Sequence, residues 1–272
     1  MDGEGHETIT RQALRLAALD GDGAEYVRGA LFNDNPTEHP LDEASMRVFA
    51  LAIEAAANGR VFGPEDPLPL RSHLGDLQFL HAMAARDGEE AAATLEGVLR
   101  WAAFAYGVAA GEIGPATPLG EVPVPGFAAL FPEQRDDTVA ALFNVRDGDG
   151  DVRQRAAGSL LHVIQDSHSP GHTQREDLGG GRWGRVVSFH AYVHQDPGLH
   201  GRDDRTPEGD TPRERLARLP GGEAAVERSA ELLRLLQAGT PWSEVERHLR
   251  TEVFALVPDP PAAGPGDAYR RQ

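Results

Sequence analysis

Residues 152–172 read VRQRAAGSLLHVIQDSHSPGH, and this stretch decides how the chain is interpreted. Its apolar side chains, among them Leu160 and Ile164, recur every three or four residues. That spacing is typical of an amphipathic helix rather than a strand. The pattern therefore predicts a helix over Val152–Asp166.

Polar residues of metal-binding type follow the same helix. His162 and Asp166 are four residues apart, so both side chains leave one side of the helix, one turn apart. Pro170 ends the helix, and Gly171 lets the chain turn so that His172 can reach a neighbouring ion. The spacing indicates a site for one ion, or for two ions bridged by the carboxylate.

Helical periodicity recurs along most of the chain, whereas strand signals are nearly absent. The best β-like piece, residues 122–125, is interrupted by two prolines. We therefore predict an all-α fold, a single compact multi-helix domain. Besides residues 152–166, helices are expected at residues 8–19, 24–31, 41–58, 74–85, 89–109, 133–143, 224–237 and 243–255.

The domain is expected to span residues 1–257. Residues 258–272 are rich in proline and glycine, which predicts a disordered tail. Two long loops are expected, at residues 59–72 and 167–186, the second with three consecutive glycines as a hinge. No segment approaches the about 18 uninterrupted apolar residues of a membrane span, and the chain begins without a recognisable signal peptide.

Composition excludes several kinds of chemistry. The net charge is −17, and all 26 basic residues are arginines, so neither a lysine Schiff base nor a phosphate-loop lysine is available. Because no basic run occurs, duplex nucleic-acid binding is not expected. The chain has no cysteine, so any zinc must be held by histidine, aspartate, glutamate or backbone groups.

The histidines are unevenly distributed. Six of the 11 lie between residues 162 and 200, interleaved with aspartates, which favours metal binding over chance. Gly5-His6-Glu7-Thr8 starts a helix almost at the end of the chain and puts an imidazole and an α-amino group within reach of one ion. An ordinary helix start capped by Thr8 or Asp2 is the alternative for that segment.

Gly5-His6-Glu7-Thr8 near the terminus, with His162-x-x-x-Asp166-x-x-x-Pro170-x-His172 later in a helical chain, resembles the zinc-dependent phospholipase C and single-strand nuclease superfamily. The resemblance covers about a third of the chain. It implies an all-α phosphodiesterase with two or three Zn²⁺ ions clustered in a cleft. It also implies secretion or export, although no signal peptide is present.

The resemblance also implies a set of metal ligands. The first zinc would be held by Asp34, His73, His162 and Asp166, and Asp166 would bridge to a third zinc bound by His6 and the terminal Met1. The family begins with tryptophan where this chain has methionine, and its ligation by the terminal residue uses backbone groups. The second zinc would be held by His172, His200 and Asp204.

Alternatives remain for three of these assignments. His190 and His194 are a rival pair for the second zinc, although the second member is not an acid. His73 is chosen over His81, because His81 falls on the apolar face of the helix expected at residues 74–85. Three other aspartates could replace Asp34, namely Asp42, Asp66 and Asp76.

Three functions follow as hypotheses. The first is a metal-dependent phosphoric ester hydrolase of phospholipase C type, which cleaves phospholipid to diacylglycerol and a phosphorylated head group by a metal-activated water, with Asp34 as general base. Transient contact with a membrane surface would accompany that activity. The second is a single-strand nuclease or nucleotidase of the same superfamily. The third is a non-catalytic helical module stabilised by zinc.

Overall fold

The computed structural model describes residues 3–19, 21–37, 43–145, 150–180, 182–209 and 211–271, without the side chains of residues 3, 43, 44, 203 and 204. Within those residues, the fold comprises eleven α-helices and one two-stranded sheet. The helices are α1 (Gly3–Leu16), α2 (Ala24–Phe32), α3 (Glu43–Ala57), α4 (Leu68–Leu74), α5 (Ala91–Ala110), α6 (Val139–Leu142), α7 (Val152–Asp166), α8 (Pro197–Asp204), α9 (Pro212–Arg218), α10 (Gly222–Gln237) and α11 (Trp242–His248). Short 3₁₀ turns occupy Gln78–His81, Leu119–Glu121 and Ala128–Leu130, and a π-helical turn, Leu249–Val253, follows α11.

The central helix is α7, and its bounds are those that the sequence predicts. The Asp151 side chain accepts hydrogen bonds from the backbone N–H groups of Arg153 and Gln154, which caps the start of the helix. Nearly every residue of α7 is buried, and the helix packs against α2, α5 and α10. A helix enclosed on all sides can present polar side chains to an interior site.

Two glycines allow α2 and α7 to cross very closely. A Cβ atom at Gly29 of α2 would lie 2.0 Å from the carbonyl oxygen of Arg155. A Cβ atom at Gly158 of α7 would lie 2.1 Å from the carbonyl oxygen of Tyr26. Only glycine fits at either position, because real side-chain atoms do not approach backbone atoms so closely. The crossing fixes the end of α2 beside the last turns of α7.

Aromatic side chains fill the space between α5, α7 and the connecting segment that precedes α7. Trp101 and Phe104 of α5 pack with Phe127 and Phe143, and Phe32 of α2 completes the group. All five are buried. Burying large aromatic side chains removes much apolar surface from water, so this cluster anchors the helices that carry the site.

The all-α prediction holds for the coarse architecture, which is mostly helical, but it missed a β-hairpin. Residues 167–186, expected to be a loop, contribute to strands β1 (Thr173–Asp177) and β2 (Trp183–Phe189), which pair antiparallel. Thr173 pairs with Phe189, and two irregularities interrupt the register. In the described part of the chain, no helix combines the length and apolarity that a membrane crossing would need.

Two predicted helices are wrong in position. Instead of a helix over residues 74–85, α4 ends at Leu74, where Gly75 adopts an extended conformation, and a 3₁₀ turn follows. Instead of a helix over residues 133–143, only the single turn of α6 forms. The first segment is buried at every residue from Leu77 to Ala84, so tertiary packing overrides its helical periodicity.

The C-terminal residues were predicted to be disordered, but residues 258–271 instead lie against the domain. Ala263 and Tyr269 are buried. Backbone hydrogen bonds tie the segment to residues 88–89 and to residues 191–196. Main-chain pairing of this kind does not depend on side-chain hydrophobicity, so a composition rich in proline and glycine does not reveal it.

Candidate metal centre

His162 and Asp166 of α7 form the middle of the candidate centre. Both side chains are fully buried, and His162 Nε2 lies 2.8 Å from Asp166 Oδ2. The other ring nitrogen of His162 lies 2.6 Å from the carbonyl oxygen of Ala30, so Nδ1 is the donor. In a neutral ring, Nε2 then carries the lone pair that a metal ligand needs.

His6 of α1 approaches the same carboxylate from the opposite helix. Its ring stacks on His162 with centroids 3.9 Å apart, and its Nε2 lies 3.3 Å from Asp166 Oδ1. His6 Nδ1 lies 2.7 Å from Gln165 Oε1, while Gln165 Nε2 donates to Thr10 Oγ1. Because Gln165 presents its carbonyl oxygen to the ring, His6 Nδ1 is the donor. His6 Nε2 is buried and has no hydrogen-bond partner.

Asp34 closes the group from the loop after α2. One carboxylate oxygen, Oδ2, lies 3.7 Å from His6 Nε2, and the other, Oδ1, lies 3.9 Å from His162 Nε2. The Asp34 side chain is 30% exposed, whereas His6, His162 and Asp166 are fully buried. Solvent therefore reaches the centre past Asp34.

The neighbouring Asn33 holds this loop in place, a role that sequence reasoning missed. Ser159 Oγ of α7 donates to Asn33 Oδ1 at 2.6 Å, and Asn33 Nδ2 donates to the carbonyl oxygen of Leu80 at 2.6 Å. The indole of Trp101 donates to Ser159 Oγ. The fully buried amide of Asn33 thereby fixes two residues, its neighbour Asp34 and the histidine that follows Leu80.

The residue that follows Leu80 is His81, whereas the sequence analysis predicted His73 as the ligand. His81 Nδ1 lies 2.9 Å from both Asp166 Oδ2 and His162 Nε2, and 3.8 Å from Asp34 Oδ1. A continuous helix would place His81 on its apolar face, but the break after Leu74 directs the side chain into the centre. Gly75 is the signal that could have revealed the break.

His73 lies at the edge of the centre. Its ring is 4.6 Å from the ring of His81, centroid to centroid, and its Nδ1 donates to the carbonyl oxygen of Pro69. Among the described residues, it does not belong to the groups whose ligand atoms converge. The predicted ligand His73 therefore lies next to the cluster, and His81 occupies the position expected for His73.

His172 joins the centre from the turn after α7, and His200 of α8 lies behind it. His172 Nδ1 lies 3.4 Å from Asp166 Oδ2 and 2.8 Å from the carbonyl oxygen of His81. The His172 and His200 rings are 4.9 Å apart, centroid to centroid. Of the rival pair, His190 bonds the carbonyl oxygen of Gly171, and His194 is 54% exposed and bonds Asp87.

Three predicted or alternative ligands lie outside the described residues: Met1, Asp42 and the side chain of Asp204. The other two alternatives to Asp34 are engaged elsewhere. Asp66 pairs with Arg60, and Asp76 pairs with Arg71. The structure brings Asp34, and neither Asp66 nor Asp76, to the described cluster.

The electrostatics around His162, Asp166 and Asp34 favour positive charge. Burial lowers the pKa of His162, but the carboxylates of Asp166 and Asp34 outweigh it and raise the pKa above its ordinary value. Burial raises the pKa of Asp166, yet the imidazoles of His162 and His172 hold it well below its usual range. For Asp34, the imidazoles of His162, His6 and His81 likewise overcome burial and lower the pKa.

These residues fit a metal ion. In its neutral form, His6 would point a lone pair at two carboxylates, an arrangement that a cation between them stabilises. In a tetrahedral zinc site, donor atoms lie about 3.3 Å apart, and the separations here range from 2.8 to 3.9 Å. Three overlapping sets of ligand atoms converge among the described residues: His6, His162 and Asp166; Asp34, His81 and His162; and His81, Asp166 and His172.

Two buried arginines, Arg71 and Arg175, serve the fold. Arg71 Nε and Nη2 donate to the two carboxylate oxygens of Asp76, and Nη2 also donates to the carbonyl oxygen of Leu130. Arg175 donates to the carbonyl oxygens of Ser167 and Val253. Guanidinium groups engaged in this way hold loops together rather than facing the cluster.

Comparisons with known proteins do not place the chain in a family. No family model matches this chain, no curated protein matches it, and no solved structure matches it.

Proposed function

We propose that this chain is a zinc-dependent phosphodiester hydrolase of the phospholipase C type. The observation that carries the proposal is the convergence of six buried or half-buried side chains from distant parts of the chain on one small volume: His6, Asp34, His81, His162, Asp166 and His172. His6 and His162 also hold Nδ1 in a hydrogen bond with an oxygen atom, as metal-binding histidines commonly do.

Zinc ions in this centre would lower the pKa of a bound water and neutralise charge on the phosphoryl oxygens of a substrate. The protein then has three tasks. His162 and His6 hold lone pairs toward the interior, Asp166 supplies a carboxylate between them, and Asp34 lies where solvent enters. Asp34 is therefore our proposed general base, whose carboxylate takes the proton of the attacking water.

Helix α3 supports a lipid rather than a nucleic acid as substrate. Its side chains Met46, Val48 and Leu51 are more than half exposed, although they are large and apolar. Phe49 of the same helix contacts His73 at the edge of the centre, with ring centroids 5.2 Å apart. Exposed apolar side chains on a helix that reaches the edge of the centre through Phe49 suit acyl chains. A net charge of −17 disfavours long-range attraction of a polyanion.

The test compares hydrolysis of phosphatidylcholine vesicles and of single-stranded DNA by the wild type and by His162→Ala, with metal content measured by mass spectrometry. We expect lipid cleavage by the wild type and a loss of at least about 100-fold in the variant. His248→Ala, which removes a partly buried histidine outside the centre, is the matched control and should retain activity.

Other outcomes separate the alternatives. Cleavage of DNA instead of lipid would establish the nuclease hypothesis. Bound zinc without cleavage of either substrate would favour a metal that only stabilises the fold. A wild-type protein without bound metal would refute the proposal.

A further inference from the structure

A C-terminal strap, residues 263–271, runs beside the segment that carries the second group of histidines. Three backbone hydrogen bonds of 2.7–3.0 Å join the strap to residues 191–196: Ala191 N–H to Gly264 O, Asp196 N–H to Tyr269 O, and Arg271 N–H to His194 O. The Tyr269 ring also lies 5.9 Å from the ring of His190. The strap therefore covers the loop between β2 and α8.

The side chain of Gln195 connects the strap to the centre. Its Nε2 donates to the carbonyl oxygens of Gly171, at 2.7 Å, and of Pro265, at 2.8 Å. Because only the NH₂ end of an amide can donate to two carbonyls, the orientation of this buried side chain is determined. Its Oε1 atom then faces His200 Nδ1 at 2.7 Å.

This arrangement fixes two residues at once. Since Gln195 Oε1 can only accept, His200 Nδ1 must be the donor, and the lone pair of the neutral ring is on Nε2. The other end of the amide holds the backbone of Gly171, the residue before His172. A Cβ atom at Gly171 would lie 3.0 Å from His200 Nδ1, so the two segments are in close contact.

We propose that Gln195, held by the C-terminal strap, is a positioning residue that sets the orientation of His200 and His172 for a second metal ion. The proposal rests on the proposed function, because it takes this pair of histidines as ligands. It assigns the strap a role in metal binding that its composition does not suggest. Outer partners of this kind typically change metal affinity by about 10- to 100-fold.

Gly266 offers an independent way to disturb the strap. It has a φ of 76°, and a Cβ atom there would lie 2.5 Å from the ring of His190. Gly266→Ala therefore both strains the backbone and pushes the strap away. Gly239 has a similar φ of 63° but nothing within 4 Å of an added Cβ atom, so Gly239→Ala reproduces the strain alone.

The experiment measures zinc bound per full-length chain after dialysis, for the wild type, Gln195→Ala and Gly266→Ala. We expect both variants to lose one ion, or to bind it about 10- to 100-fold more weakly, while the remaining zinc is retained. Gln174→Ala, which removes an exposed glutamine of β1, and Gly239→Ala should bind as much zinc as the wild type.

A spectroscopic readout separates positioning from a general loss of stability. In NMR spectra of the ring nitrogens, Gln195→Ala should change the signals of His200, identified by their loss in His200→Ala, and leave those of His162 in place. Full zinc content together with unchanged His200 signals in Gln195→Ala would overturn the proposal. If His200→Ala itself keeps all its zinc, the proposal fails while the centre around Asp166 survives; if the wild type binds none, both fail.

Discussion

The two sides of the candidate centre are built differently. The helical side, comprising His6, Asp34, His162 and Asp166, depends on the crossing of α2 and α7, where backbone meets backbone with no room for a side chain. The loop side, comprising His172 and His200, depends on hydrogen bonds of one amide and on a strap of irregular chain.

The difference teaches what each side should tolerate. Close backbone packing resists the loss of a single hydrogen bond but has no tolerance for added volume. A hydrogen-bonded loop accepts small changes in volume but depends on each donor and acceptor. Substitutions on the two sides should therefore fail for different reasons.

The largest effect is expected from Gly158→Ala on the helical side. The new methyl group would overlap the carbonyl oxygen of Tyr26, so α2 and α7 must separate. We expect the free energy of unfolding to fall by about 4 kcal/mol, above the usual range for added volume because the overlapping atom is backbone. Chemical denaturation measures this change.

The matched control is Gly201→Ala, which makes the same change in helix α8, where nothing lies within 4 Å of an added Cβ atom. Alanine favours a helix over glycine, so stability should be unchanged or slightly higher. An equal loss of stability in both variants would show that the helix crossing does not have the importance assigned to it.

A second comparison concerns His73 of α4 and His81 of the 3₁₀ turn that follows it. His81 contacts Asp166 and His162, whereas His73 lies at the edge of the centre. We expect His81→Ala to weaken zinc binding at least about 100-fold and His73→Ala to have a clearly smaller effect. Zinc titration monitored by calorimetry provides the measurement. A larger loss of zinc affinity in His73→Ala than in His81→Ala would instead identify His73 as the ligand.

Acid should also weaken the loop side, with a smaller effect than the added methyl group. Burial lowers the pKa of His190 to about 4, against about 6.5 in the unfolded chain, so the unfolded state binds more protons between these values. Stability from this group is therefore present above pH 6.5 and is lost as the pH falls toward 4. The loss between pH 7.5 and 5 should be about 2 kcal/mol.

His190→Asn removes this titration and retains an N–H donor. The variant should lose about 2 kcal/mol less than the wild type over the same pH range, measured by denaturation at pH 7.5 and 5. His194→Asn, at the exposed histidine, should behave as the wild type does. Equal pH dependence of stability in the wild type and His190→Asn would contradict the assignment of this dependence to His190.

The same contrast explains what the sequence could predict. The bounds of α7 follow from local information, namely apolar periodicity, an aspartate before the helix and a proline after it. The spacing of His162 and Asp166 then places them together without knowledge of the rest of the fold.

The loop side gives no comparable local signal. Strand β1 reads TQRED, so no apolar alternation marks a strand. Its buried Arg175 is stabilised by the carbonyl oxygens of Ser167 and of the distant Val253. The strap likewise depends on hydrogen bonds between residues 70 positions apart, as between the side chain of Gln195 and the carbonyl oxygen of Pro265. His81 was missed because its position depends on a break in a helix.

The most direct test of the central claim is the zinc content of the wild type and of Asp166→Asn, measured side by side after dialysis. Asp166 contacts His6, His81, His162 and His172, so the account predicts at least two zinc ions per wild-type chain and the loss of more than one in the variant. Loss of none in the variant, or no zinc in the wild type, would contradict it.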